Sequence, residues 1–284
     1  MWNRDLRCMR GARWIGWLLA CAATAATAAA TAGEPGPAWP HGARAAVSLA
    51  YDDAVPSHLD HAIPALDRHR LKGSFYLVLS ADTVRDRLEE WRAAARNGHE
   101  LGNHSLFHQC SARGSDRAWV QPSQDLDHTT VAQMRAQLAL ANSMLHAIDG
   151  STEFTYTVPC GDRLAQDGDY LPAVRDLFAG IKLVGGAVVP DMRGFDRHAV
   201  PVVAPVGSTG ADLIALVEEA GRRGTMVNFT FHGIGGDHLA VSAAAHEELL
   251  AFLAANRQRY WVDTFRAQMQ WLRARTRSAE PGSG

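Results

Sequence analysis

AAVSLAYDD, residues 45–53, is a near-continuous apolar run that ends on two adjacent aspartates. A run without polar alternation is the pattern of a strand buried on both faces, as in a parallel sheet covered by helices. GSFYLVL (73–79), HELGNHS (99–105), YTVPC (156–160), IKLVGGA (181–187), VPVVAPV (200–206), MVNFTFH (226–232) and YWVDTF (260–265) give seven more strand-like segments. Helical faces lie between them: Leu59, Ile63 and Leu66; Leu88, Trp91 and Ala95; Met134, Leu138, Ala141 and Leu145; Leu249, Phe252 and Leu253; Met269 and Leu272. LPAVRDLFAG (171–180) and ADLIALVEEAGRRG (211–224) read as helices stopped by Gly, and Thr130 and Ser242 as N-caps. This alternation, with no long linker, predicts one α/β domain whose strand ends share a rim, the place where β/α barrels keep their chemistry.

The ends of the chain read differently. Arg4, Arg7, Arg10 and Arg13 precede the uncharged stretch Ile15–Ala30, and Ala30-Thr31-Ala32 has the small-x-small pattern of a cleavage site. Residues 1–32 are therefore expected to be an export signal, the apolar part being shorter than the roughly 20 residues a bilayer demands. A lipid anchor on Cys21, after Leu18-Leu19-Ala20, is the alternative. Residues 33–44 form a Gly/Pro-rich lead, 45–276 the folded domain, and 277–284 a tail expected to be disordered. Loss of the signal removes four Arg and one Asp and leaves 24 basic against 29 acidic residues, a balance that offers no nucleic-acid or anionic-membrane surface. Of four cysteines only Cys110 and Cys160 remain, either as one disulfide beside the site or as two buried thiols. No obligate protein partner is evident.

Three polar groups sit at strand ends. In Asp52-Asp53 the neighbouring carboxylates point in different directions, so one can hold a metal ion while the other faces a water. His104 and His108, in NHSLFH, are spaced to share one face of a helical turn. The zinc-peptidase pattern needs Glu directly after the first His; Ser105 stands there, which leaves Asp52 free to be the base. His232 closes the seventh strand ahead of Gly233 and Gly235-Gly236, where it can protonate a leaving group. His238 and His246 read as loop and helix-surface residues, and His58 and His61 as solvated. Two imidazoles and a carboxylate with an open position describe a catalytic zinc or similar divalent ion.

Taken in order over about residues 45–270, these segments resemble the NodB-homology polysaccharide deacetylases, carbohydrate esterase family 4. SLAYDDAV is similar to the family's T-F-D-D motif, NHSLFH to H-[ST]-x-x-H, and NFTFHG to L-x-[IL]-H. The resemblance implies a distorted (β/α) barrel with fewer than eight regular strands. It also implies a divalent ion, usually Zn2+ and sometimes Co2+, held by Asp53, His104 and His108, with Asp52 as base and His232 as acid. The activity implied is removal of N- or O-linked acetyl groups from a polysaccharide or oligosaccharide by a metal-activated water. The oxyanion is expected at the Pro159–Gly161 turn, chiefly at the Cys160 N–H, and the acetyl methyl against Phe229 or Phe231 and Trp261. Two motifs depart from the pattern. The family's R-x-P-[YF]-[GR] is replaced by Thr157-Val158-Pro159-Cys160-Gly161, without the Arg that pairs with the base, so Arg163 or Arg193 would have to substitute. The Asp-rich motif is only shadowed by Asp191-Met192-Arg193-Gly194-Phe195-Asp196. The alternatives are a non-sugar amidase on the same scaffold and an exported carbohydrate-binding homologue without activity.

Overall fold

The computed structural model describes residues 39–279 apart from 115 and 187. The expected signal segment, Cys21 and the end of the chain beyond Ala279 lie outside the described residues. The elements are β1 (Ala45–Asp52), α1 (Ile63–Arg68), β2 (Ser74–Leu77), α2 (Asp82–Asp86), α3 (Leu88–Arg96), β3 (Glu100–Asn103), α4 (Val131–Asp149) and β4 (Thr155–Thr157). A small hairpin, β5 (Leu164–Ala165) and β6 (Gly168–Asp169), leads to α5 (Leu171–Val174) and β7 (Gly180–Val184). Then come β8 (Val200–Val202), α6 (Gly210–Arg223), β9 (Met226–Phe231), α7 (Ala243–Ala255), β10 (Tyr260–Val262) and α8 (Phe265–Ala279).

All pairings in the main sheet are parallel. The order β1-β2-β3-β4-β7-β8 curls back on β1 through β9, which runs beside Ala46–Tyr51. Closure is completed where Val203 donates to the Asn228 carbonyl (2.9 Å) and accepts from the Thr230 N–H (2.8 Å). The result is an α/β barrel whose ring has seven strands, the distorted NodB-type form. β10 adds an eighth strand against only Ala45–Val47. The predicted strands are therefore all present; β1 covers its whole apolar run and the others are shorter than theirs.

Alternation along β1 separates two interiors. Val47, Leu49 and Tyr51 face outward into the main core beneath the helices. Ser48 and Asp52 face into the barrel, with Ser74, Tyr76, Glu100, Thr155 and Lys182 around them. The barrel floor is closed by α8. Its first N–H groups, of Phe265 and Arg266, donate to Ser74 Oγ (2.8 Å) and Glu100 Oε2 (2.9 Å), so two strands cap this helix from inside the barrel. Thr130 and Ser242 cap α4 and α7 as expected, and Gly150 and Gly224 end α4 and α6 with positive φ.

Three details correct the sequence reading. Gly180 does not stop a helix; it begins β7, where a Cβ would meet Met269 of α8 at 2.5 Å. The closing helix continues past residue 276 to Ala279. The segment after Pro56 is helical but contains a π turn, His58–Ala62, a form of helix concentrated at functional sites. Among the described residues no helix is long and apolar enough to cross a membrane.

Candidate active site

The polar groups picked out by sequence do converge at the carboxyl ends of the strands. Asp52 is the last residue of β1, and the chain then turns through Asp53 (φ 81°) and Ala54 (φ 55°). His104 follows β3 directly. His108 does not lie one helical turn further on, as its spacing suggested; the segment is a loop with Ser105 (φ 66°) and His108 (φ 56°) in the left-handed region. The loop is braced by Ser105, whose Oγ accepts from the His108 N–H (2.9 Å). Left-handed conformations cost non-glycine residues on the order of 1–2 kcal/mol each, and such strain collects where a site must be assembled.

Asp53 Oδ1 lies 3.2 Å from both His104 Nε2 and His108 Nε2. One ligand atom from each of the three residues lies within 4.8 Å of the others. His104 Nδ1 is 2.8 Å from the Thr157 carbonyl, to which it donates, so in the neutral ring Nε2 turns a lone pair toward Asp53. Asp53 Oδ1 is buried without a hydrogen-bond partner. Three electron-pair donors aimed at one point are what a divalent cation satisfies, and the donor set suits zinc or a neighbouring transition metal. The electrostatics agree. Burial would raise the Asp53 carboxyl, but the His104, His108 and His238 imidazoles around it hold it well below the usual carboxylate range.

Asp52 stands apart from this group. It is 2% exposed, its Oδ2 is 3.9 Å from His104 Nε2, and its Oδ1 has no hydrogen-bond partner. Burial raises its pKa, against the lowering influence of His104, His232 and Lys182. His232 Nε2 is 3.9 Å from Asp53 Oδ2. Burial lowers its pKa, partly offset by Asp52 and Asp53, so its imidazolium gives up a proton readily. Gly233 beside it is required by the loop, since a Cβ there would meet the Gly236 carbonyl oxygen at 1.9 Å.

These groups line a cavity of about 680 Å³ whose walls are mainly apolar: Val78, Ala81, Val158, Ala204, Leu239 and the half-exposed Trp119. Cys160 also faces it, at φ 56°, and is bonded to Cys110, so the alternative of two thiols falls away. The bridge ties the His108 loop to the Pro159–Gly161 turn, and His108 Nδ1 is 3.5 Å from Cys110 Sγ. Pro159 is buried beneath this turn.

Other expectations fail for traceable reasons. Phe229 and Phe231 face outward and stack on each other and, through Phe231, on Tyr51. Trp261 packs with Trp39 and Trp271 beside the start of β1, at the end of the barrel opposite the site. None of the three lines the cavity. Arg163 pairs with Asp169, and Arg193 with Asp191, so neither reaches Asp52. Asp196 pairs with Arg175, and the Asp191–Asp196 stretch adds no lining residue to the cavity.

Four residues were misjudged or missed. His58 is fully buried, and its Nε2 donates to the His232 carbonyl (2.8 Å), fixing the strand end that carries the acid. Burial lowers its pKa to about 4. His61 is exposed as expected, with Nδ1 2.7 Å from the Ile234 carbonyl. His246 is buried, not on the helix surface, and accepts from the Tyr51 hydroxyl (2.7 Å). His238 is a site residue: its Nε2 is 2.7 Å from Asp53 Oδ2 and fixes that carboxylate's orientation. Lys182 lies inside the barrel at 0% exposure, and its sequence signal was available: a lysine in the middle of the apolar strand IKLVG.

Residues 41–177 match the family model described as polysaccharide deacetylase, which places that segment in the polysaccharide deacetylase family. Over those residues the match agrees with the family that the motifs resemble. No curated protein matches the chain in sequence. Among solved structures it is similar to a Mycobacterium smegmatis protein named for the polysaccharide deacetylases (18% identity, TM-score 0.59, 85% of this chain and 94% of that one). It is also similar to the family 4 carbohydrate esterase domain of a multidomain xylanase from the hindgut metagenome of Trinervitermes trinervoides (14%, 0.51, 80% and 90%). A third is a mutant of BA3943, a family 4 pseudoenzyme of Bacillus anthracis (16%, 0.50, 79% and 67%). At these identities the likeness is one of fold. The family match ends before β7 and β9, the strands that supply Lys182 and His232.

Proposed function

We propose that the protein is an exported, metal-dependent hydrolase that removes N- or O-linked acetyl groups from a polysaccharide or oligosaccharide. The observation that carries this reading is the convergence of Asp53 Oδ1, His104 Nε2 and His108 Nε2 beside Asp52, whose Oδ1 has no hydrogen-bond partner, and the partly buried His232. A divalent ion, zinc or cobalt, held by those three residues supplies Lewis-acid polarisation of the acetyl carbonyl and an acidified water. Asp52 takes the proton from the attacking water; burial raises its pKa above the ordinary carboxylate value, which makes it the better proton acceptor of the two neighbouring aspartates. The Cys160 N–H, fixed by the disulfide, is the donor assigned to the developing oxyanion, a contact of about 3 kcal/mol. His232 delivers a proton to the departing nitrogen or oxygen. Export is supported by the Cys110–Cys160 bridge, which persists in an oxidising compartment.

The apolar walls of the cavity favour a second reading, a C–N hydrolase acting on a smaller, less polar amide. A fold shared with a pseudoenzyme also keeps a binding role without turnover in view. One experiment separates the three. The mature protein is stripped with a chelator, reloaded with zinc or cobalt, and assayed for acetate release from acetylated polymers and for cleavage of simple amides. Metal-dependent acetate from a polymer is the expected result. Turnover of amides alone selects the second reading, and no turnover with any metal sinks both enzymatic ones.

A further inference from the structure

Thr157 occupies the position where the family pattern has an arginine, and its Oγ1 is buried without a hydrogen-bond partner. Directly in register with Thr157, on the neighbouring strand β7, is Lys182. It is the one Lys or Arg side chain buried among the described residues. Its Nζ crosses the barrel to donate to Ser48 Oγ (3.0 Å), passing over the faces of Phe265 (4.7 Å) and Tyr76 (5.4 Å). Ser48 and Asp52 share the inward face of β1, and the inward residue between them, Ala50, has only a methyl group there. Burial pushes the Lys182 ammonium down to about 7, and the two carboxyl groups that act to keep it charged are, in order, those of Asp52 and Glu100. Glu100 is already met by the Ser74 and Thr155 hydroxyls and the Arg266 N–H. Asp52 Oδ1 is met by nothing. A buried ammonium is retained where a buried carboxylate compensates it.

We propose that Lys182 is the counter-charge of Asp52, a positioning residue that holds the base in place from within the barrel, in the stead of an arginine at position 157. The proposal rests on the reading of Asp52 as the base for its kinetic consequence, but not for the pairing itself. Lys182 completes no bond to substrate. It keeps a positive charge on the inner side of Asp52, opposite the cluster of imidazoles, so that the carboxylate faces the cavity.

The test has two arms. The first is a double-mutant cycle on thermal unfolding of metal-free protein, with Lys182→Met, Asp52→Asn and Glu100→Gln. The expected result is non-additivity between Lys182→Met and Asp52→Asn, the double variant melting higher than the summed single shifts allow. Additivity there, with coupling to Glu100→Gln only, overturns the proposal. Should Lys182→Met alone fail to fold, a folded Asp52→Asn/Lys182→Met double supports the pairing, and rescue by Glu100→Gln instead overturns it. The second arm is kinetic. Lys182→Met is expected to lower kcat about 100-fold with KM and bound zinc unchanged, and Lys182→Arg to restore at least part of it. An unchanged kcat overturns the positioning role. If no form of the protein turns over substrate, the proposed function fails while the unfolding cycle still decides whether Lys182 serves Asp52.

Discussion

Asp52 and Glu100 are both buried carboxyl groups inside one barrel, yet their surroundings are opposite. Glu100, on the floor, receives two hydroxyls and the first turn of α8, contacts that join β3 to its neighbouring strands and to the closing helix. Asp52, at the rim, has one oxygen with no partner and faces a cavity. Burying a polar group without partners costs free energy, so a fold tolerates it only where other contacts hold the group in place. The saturated carboxyl holds the fold together; the unsaturated one is available for chemistry.

The strongest way to break this contrast is substitution of the two acids in parallel. Asp52→Asn is expected to cut turnover about 1000-fold while zinc content, measured by atomic emission, stays near the parent value. Full activity would remove Asp52 from the role of base. Glu100→Ala should do the reverse, lowering stability by about 3–5 kcal/mol in urea unfolding because Ser74, Thr155 and the α8 N-terminus lose their acceptor. Unchanged stability would show that the floor does not depend on it.

A smaller effect sharpens the comparison between rim and outer core. His58 and His246 are buried, with pKa values lowered from 6.5 to about 4 and about 3. The unfolded chain binds protons to them first as pH falls, so stability present above pH 6.5 should drain away between about 6.5 and 4, by roughly 3 kcal/mol for His58 alone. A His58→Phe variant that keeps the full acid slope over that window would exclude His58 as its source. The smallest effect is expected at His238, which is 54% exposed and touches only the far oxygen of Asp53. His238→Ala should weaken zinc affinity about 10-fold in chelator competition and leave stability unchanged. Loss of all bound metal would promote His238 from orienting Asp53 to a ligand.

Much of the candidate site was legible because its chemistry is local in sequence. Asp52-Asp53 and His104 end or directly follow strands, so a run of apolar residues announces where each side chain emerges. His108 was found by spacing, though for the wrong reason: a left-handed loop, not a helical turn, brings it to Asp53. The aromatic wall was misread because period-2 alternation gives two faces without saying which is the barrel interior. Phe229 and Phe231 take the outer one. Trp261 lies at the wrong end because β10 pairs with the beginning of β1, a register no segment of its own sequence encodes.

The order of apolar runs, caps and glycine stops by itself determined an α/β chain of parallel strands with aspartates and histidines at one rim, since hydrophobic period and helix capping are local properties. Only the tertiary structure decided that seven strands close into the ring, that Cys110 meets Cys160, that His238 reaches Asp53, and that Lys182 lies in register with Thr157 inside the barrel. Each of these depends on strand order, stagger and loop path, which arise from how separate segments pack, and no single segment contains that information.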